Sequence, residues 1–179
     1  VDTGRGMVGD IIPERPGLEA WAVSGLGLWT AGGERLGTST PGTNMSIRWA
    51  ADLTTQIVSG ALDVTPTIED WRRGRILTAD GTLSNNGTKG NPSLVADIFG
   101  DWREEMLLRT ANSSAIRIYL GTEVTTHKLY TLMHDPQYRA EVARQQTTYN
   151  QPSYPSFYLG ADTDWSRVPV PHVRAPVRH

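Results

Sequence analysis

The chain has 179 residues, with 17 basic side chains against 19 acidic ones for a net charge of −2, and it contains no cysteine. That length accommodates one domain with a sizeable core, and the charge balance leaves no positive field to hold nucleic acid or an anionic membrane surface. Disulfide frameworks, thiolate nucleophiles and sulfur-ligated zinc are excluded outright.

The opening segment VDTGRGMVGD has no initiator Met and none of the regions of a signal peptide, and the chain is expected to be a piece of a longer one. From there, short runs rich in branched and aromatic residues follow one another, each bounded by Gly, Pro, Asn, Asp or Thr. They predict strands within 18–25, 27–36, 45–53, 54–60, 67–71, 74–80, 93–100, 104–110, 115–122 and 128–133. Many short strands at near-even spacing predict an all-β sandwich, barrel or propeller rather than βαβ units. The stretch HDPQYRAEVARQQ (134–146) breaks the pattern. Asp135 stands as an N-cap, Pro136 follows at the first helical position, and Tyr138, Val142 and Gln145 fall at helical spacing, so a short helix is expected. The Pro-rich end, 161–179, reads as an extended tail.

The chain also resembles itself. VGDIIPERPGLEAWAV (8–23) and VADIFGDWREEMLLRT (95–110) share a plan of apolar, small, Asp, Ile, polar turn and Glu before a strand. Such a repeat favours a propeller over two unrelated hairpins.

Three groups of residues could carry chemistry. Asp97, Asp101, Glu104 and Glu105 crowd one turn, and Asp10 and Glu19 repeat part of it. Clustered carboxylates of this kind suit Ca²⁺, which takes six to eight oxygens. Salt bridges to Arg103 or Arg109 are the structural alternative. His127, His134, His172 and His179 make no recognised hydrolase order, and His134 reads as a hydrogen-bonded core residue. The loop LSNNGTKGNP (83–92) holds an Asn-Gly turn signal, yet it also gathers Ser, Thr and Lys89, one of only two lysines. A lysine crowded by another cation becomes a proton acceptor, and Arg5, between glycines, offers a planar fork for a carboxylate. The aromatic residues of YNQPSYPSFYLG (149–160) suit either sugar faces or ordinary packing.

Taken together, GRGM (4–7), SNNGTK (84–89), ADIFGDWREE (96–105), RIYLGTEVTTHKLYTLMHDPQYR (117–139) and YNQPSYPSFYLG (149–160) resemble the C-terminal part of the bacterial rhamnogalacturonan lyases built as eight-bladed β-propellers. The resemblance implies an all-β propeller catalytic domain over 1–160, this chain supplying about three blades with the remaining blades upstream. It implies a secreted enzyme whose partner is rhamnogalacturonan, neither nucleic acid nor membrane, cleaved by calcium-assisted β-elimination. Arg5 and Lys89 match the catalytic basic pair. Asn86, Gly87, Thr88 and Tyr149 match substrate-binding positions. Asp10, Glu19, Asp97, Asp101 and Glu105, with Thr148 and Asn150, are the expected Ca²⁺ ligands, and Gln146 departs from an Asn frequent in the family. The alternative is a non-catalytic calcium-binding propeller module that binds polysaccharide or protein, which the acidic turns serve equally well.

Overall fold

The computed structural model describes residues 3–23, 25–60, 64–85, 90–145, 147 and 152–172. The short branched and aromatic runs form three antiparallel four-stranded sheets. The first holds β1 (Gly6–Gly9), β2 (Glu19–Ala22), β3 (Gly27–Thr30) and β4 (Arg35–Gly37) in that order. The second holds β5 (Met45–Ile47), β6 (Gln56–Ser59), β7 (Thr67–Asp70) and β8 (Gly74–Thr78), again in chain order. In the third, β9 (Thr82–Leu83) and β10 (Leu94–Ala96) both pair with β11 (Glu105–Thr110), and β12 (Ile116–Tyr119) follows. One helix, α1 (Pro136–Arg144), comes after them.

Successive sheets bury their apolar faces against each other. Met7, Trp21 and Leu28 of the first sheet pack with Ile57 of the second. Met45, Ile47, Val58 and Ile68 of the second pack with Val95, Met106 and Leu108 of the third. The number of sheets equals the three blades expected, but they do not close into a ring, and the described residues by themselves do not establish a propeller. No described helix is long and apolar enough to cross a membrane.

β1, β5 and β10, the innermost strand of each repeat in chain order, each end in a turn that faces the same difficulty: two backbone N–H groups with no ladder partner, partly or wholly shielded from water. An unpaired buried donor costs about 1–3 kcal/mol, so a side chain must answer it. The first residue of the next strand does so every time. Glu19 Oε2 accepts from Ile11 N and Ile12 N at 3.0 and 3.1 Å. Gln56 Oε1 accepts from Trp49 N and Ala50 N at 3.0 and 2.9 Å. Glu105 Oε2 accepts from Ile98 N and Phe99 N at 2.7 and 3.1 Å. The two-copy repeat legible in the sequence is therefore three copies. The middle one is disguised because Gln56 also donates, through Nε2, to Asp70 Oδ2 at 3.1 Å and to Thr54 Oγ1 at 2.8 Å. A glutamate there would set its charge against Asp70, whereas an amide satisfies both sides.

The sheets are also joined backbone to backbone at these turns. Thr55 N donates to Asp10 O at 2.7 Å, and Glu104 N donates to Arg48 O at 2.8 Å. The donor in each case directly precedes the clamping residue, so one rule of assembly is used twice. The Asp10 side chain extends the join to the far end of the chain, Oδ2 accepting from Ala161 N at 2.6 Å. Asp10 is wholly buried and its Oδ1 has no partner among the described residues. Burial above all, with the charges of Glu19, Asp162 and Asp52 adding to it, raises its pKa to about 6 against the opposing Ala161 N–H.

Two strand expectations need correction. The run 27–36 is not one strand but the hairpin β3–β4, turned at residues 31–34 with Thr30 N bonded to Glu34 O at 2.9 Å. The run 128–133 is not a strand, because Leu132 N is drawn to the Asp97 side chain at 2.6 Å and a 3-10 turn forms at Leu132–His134. The helix expectation holds: Asp135 caps it through Gln137 N at 3.2 Å, and Pro136 opens it. Residues 161–172 of the C-terminal stretch include a further 3-10 turn, Trp165–Arg167, capped by Asp164.

Two outcomes follow from the turns. Gln56→Ala strands two N–H groups and should lower unfolding free energy by about 2–4 kcal/mol in urea titrations, whereas an unchanged midpoint would show that the clamp contributes nothing. Because the fold raises the Asp10 pKa, its ionisation opposes folding: that opposition is absent below the ordinary value near 4, grows as pH rises toward about 6, and is constant above. In calcium-free buffer Asp10→Asn should therefore gain about 1–3 kcal/mol at pH 7 and nothing at pH 4, and parallel stability curves for the two proteins would refute the assignment.

Candidate active site

The end of the sheets opposite the turns is where the innermost strands begin. Arg5 directly precedes β1, Asn44 directly precedes β5, and the 90–93 segment leads into β10. The repeat thus sets these residues side by side. Arg5 Nη1 donates to Asn44 Oδ1 at 2.8 Å, and Asn44 Nδ2 donates to Gly60 O at 2.9 Å. The Arg5 carbonyl accepts from Val23 N at 3.1 Å, which fixes its backbone beside β2.

Gly60 in turn meets the opening loop of the third sheet. A Cβ on Gly90 would lie 2.2 Å from Gly60 O, and Gly90 holds a φ of +62°, so glycine is required on two grounds. The loop that Gly90 closes is pinched at its base by Asn85 N donating to Asn91 O at 2.8 Å, and Ser93 Oγ donates to Asn85 Oδ1 at 3.1 Å. Asn91 is buried, and its Oδ1 has no partner among the described residues. The loop positions Asn86, Gly87, Thr88 and Lys89 lie outside the described residues, as do Gln146, Thr148, Tyr149 and Asn150. What the structure brings together is Arg5, Asn44, Gly60 and Gly90, the last being the residue after Lys89.

Among the described residues the arginines divide into those neutralised by a carboxylate and those, Arg5 with Arg35, Arg109, Arg117, Arg139 and Arg167, that are not. Arg15, Arg48, Arg72, Arg73, Arg75, Arg103 and Arg144 each pair with a carboxylate. Arg5 is half-buried, is held by a neutral amide, and pairs with no carboxylate among the described residues. A guanidinium oriented without being neutralised is prepared for an anion brought from outside. Sequence reading singled out Arg5 but missed Asn44. The signal was its place just ahead of β5, equivalent to that of Arg5, and it was invisible while the middle repeat was hidden by Gln56.

The expected calcium ligands fall elsewhere, at the turn end. Glu19 and Glu105 are spent on the turn N–H pairs described above. Asp97 accepts from Gly100 N at 2.7 Å and from Leu132 N at 2.6 Å. Asp101 accepts from Arg103, the salt-bridge alternative raised for this turn. Arg109 is instead bonded to Ser84 O at 3.3 Å and Ser113 Oγ at 3.2 Å. Burial pushes the pKa values of Asp10, Glu19, Asp97 and Glu105 upward, against the backbone N–H groups they accept from. Of these candidates only Asp10 keeps a buried oxygen without a partner, and among the described residues no three acidic or histidine side chains converge to hold a metal ion. The described carboxylates therefore do not fit a calcium site on their own.

The remaining candidates serve packing. His134 Nδ1 lies 2.6 Å from Thr131 O, and its ring stacks on Phe157. Tyr154 donates its hydroxyl to Val8 O at 3.1 Å, and Phe157 packs beside Leu132, Tyr138 and Leu159.

Comparison with known proteins agrees with this architecture. The model of the rhamnogalacturonan lyase family 11 C-terminal domain matches residues 1–169. The rhamnogalacturonan endolyase YesW of Bacillus subtilis (strain 168) is 46% identical over 180 residues, covering 98% of this chain and 28% of its own. The rhamnogalacturonan exolyase YesX of the same organism is 44% identical over 186 residues, covering 95% of this chain and 30% of its own. The crystal structure of the exotype lyase YesX superposes with a TM-score of 0.84 at 44% identity, over 90% of this chain and 30% of that one. The Bacillus licheniformis rhamnogalacturonan lyase PL11 gives 0.82 at 46% identity, over 90% and 27%. The chain thus spans less than a third of the length of these relatives, and it belongs to rhamnogalacturonan lyase family 11, as its C-terminal domain.

Proposed function

We propose that this domain contributes catalytic residues to a lyase that cleaves the rhamnose–galacturonate backbone of rhamnogalacturonan by β-elimination, its three sheets being consecutive blades of an eight-bladed propeller completed by further chain. The observation that carries this reading is Arg5: an oriented, unneutralised guanidinium at the sheet end, tied through Asn44 and Gly60 to the loop that holds Lys89. Family membership supplies the substrate class.

The chemistry demands such a pair. A base takes the C5 proton of the galacturonate, the freed electron pair forms the C4=C5 double bond, and the C4–O bond breaks. The oxygen leaves on the rhamnose and takes a proton from water. As the C5–H bond breaks, negative charge builds on a carboxylate that is already anionic, and a fixed cation at that carboxylate lowers the barrier. Arg5 is assigned as this clamp and Lys89 as the base, its amine kept neutral by the neighbouring cation. Asn86, Gly87 and Thr88 on the same loop, with Tyr149, are assigned to the sugar on the strength of the family resemblance. An extracellular setting belongs to the same proposal, as the place where a polymer of this kind is met.

Calcium also belongs to the proposal by family resemblance. When bound, it would supply further neutralisation of the uronate charge. Its donors would have to include residues beyond those described, Thr148 and Asn150 among them.

In the full-length protein, Lys89→Ala should lower kcat by about 10²–10⁴ and Arg5→Ala by about 10²–10³, read as the ultraviolet absorbance of unsaturated uronate. Wild-type turnover by Lys89→Ala would end its assignment as base. Asn44→Ala, which leaves Arg5 unheld, should lower kcat/KM about tenfold. Asn44→Asp should be no better although it restores an acceptor, because the ion pair cancels the charge that the substrate needs; full activity in Asn44→Asp would contradict the role given to Arg5.

A further inference from the structure

At the turn end, away from Arg5, the 127–134 segment and the 165–170 stretch enclose a groove of about 160 Å³ that the lyase reading leaves unused. Tyr130, His134, Phe157 and Trp165 form its walls, with Lys128 beside them. Tyr130 is 55% exposed and Trp165 47%, a large aromatic area to leave in water.

The rings are held in place. His127 stacks on Trp165 at 5.7 Å with planes 23° apart, and is itself set edge-on against the buried Trp102 at 6.4 Å. Asp164 fixes the turn that carries Trp165 by accepting from Ser166 N at 3.0 Å and from Ser166 Oγ at 2.7 Å. His134 is fixed by its 2.6 Å contact with Thr131 O; a carbonyl oxygen only accepts, so Nδ1 bears the proton. Nε2 is buried without a partner among the described residues.

Flat apolar faces of fixed orientation and one exposed cation make a complementary set. A pyranose ring offers C–H faces to the aromatic planes, and a uronate adds a carboxylate for the ammonium group. An apolar peptide would leave Lys128 without a partner. We propose that this groove is a second holding site for an acidic polysaccharide, taking one galacturonate unit with its ring on Trp165 or Tyr130 and its carboxylate toward Lys128. The ligand class rests on the lyase reading above. A long chain gripped here remains concentrated near the cleaving end, whereas a fragment too short to reach both places gains nothing.

The test uses the full-length protein, rhamnogalacturonan polymer and a short rhamnose–galacturonate oligosaccharide. Trp165→Ala should raise KM for the polymer about tenfold, with kcat and all constants for the short substrate unchanged, while Trp165→Phe should restore the polymer KM. Lys128→Gln, at an exposed position where folding is not at issue, should weaken polymer binding and leave all constants for the short substrate unchanged. Affinity electrophoresis in gels containing the polymer reads binding without turnover. Should the protein prove to have no lyase activity, retardation that Trp165→Ala and Lys128→Gln diminish would still uphold the groove. Unchanged retardation and an unchanged polymer KM in both variants would overturn it.

Discussion

Everything in this domain depends on how the innermost strands end. They are three or four residues long, and each delivers its chain into a turn where backbone donors lack ladder partners and are at least partly shielded from water. Answering those donors from the first residue of the following strand fixes the turn's shape. The residue just before then bonds the turn of the neighbouring sheet, as Thr55 N does to Asp10 O and Glu104 N to Arg48 O. Register within and between sheets is thereby set at one end, and the opposite end, with Arg5, Asn44 and the loop closed by Gly90, is placed as a consequence. Short strands transmit this well, because a rise of about 3.3 Å per residue leaves little length over which to drift.

The same constraint explains the division of charge. Glu19 and Glu105 are buried because they replace missing ladder partners, and burial raises their pKa values. Arg48 and Glu104 add an ion pair at 3.7 Å between the second and third sheets, with Tyr138 donating to the other Glu104 oxygen at 2.6 Å. The segment after α1 reinforces the assembly. Gln145 Oε1 accepts from Val95 N at 2.9 Å, Arg48 Nη1 donates to Ser153 O at 3.4 Å, and Gly17 N donates to Asp162 Oδ2 at 3.2 Å, so all three sheets are tied by one strap. Arg5, at the opposite end, is half-buried and held by the Asn44 amide, with no carboxylate partner among the described residues.

Much of this was legible because the signals were local. The Asp135–Pro136 pair named the helix start, since capping and the fixed φ of proline act within one turn. Most strands appeared as short branched runs between glycines. β1 did not, because GMVG carries only two apolar residues between glycines and becomes a strand by pairing with Glu19–Ala22. The run 128–133 has strand composition, but Leu132 N is taken by the Asp97 side chain and the backbone turns there. The acidic turns were read as a repeat and their carboxylates as metal ligands, a chemistry that spacing alone permits; in the described geometry Glu19 Oε2 and Glu105 Oε2 accept backbone N–H groups. Arg5 was legible by type and glycine context, whereas Asn44, an ordinary Asn ahead of a strand, carried no mark.

By itself the sequence determined the class of fold, the helix, two of three repeat copies and, through long motifs in order, the family. Those depend on period, propensity and residue identity, which a linear chain displays. Tertiary structure alone decided that Gln56 is the third clamp, that Asn44 holds Arg5, that Gly90 must lack a side chain, and that Trp165 and Tyr130 face one groove. Each of these is a meeting of atoms remote in the chain, and whether a polar group is satisfied or left waiting is fixed only when its neighbours arrive.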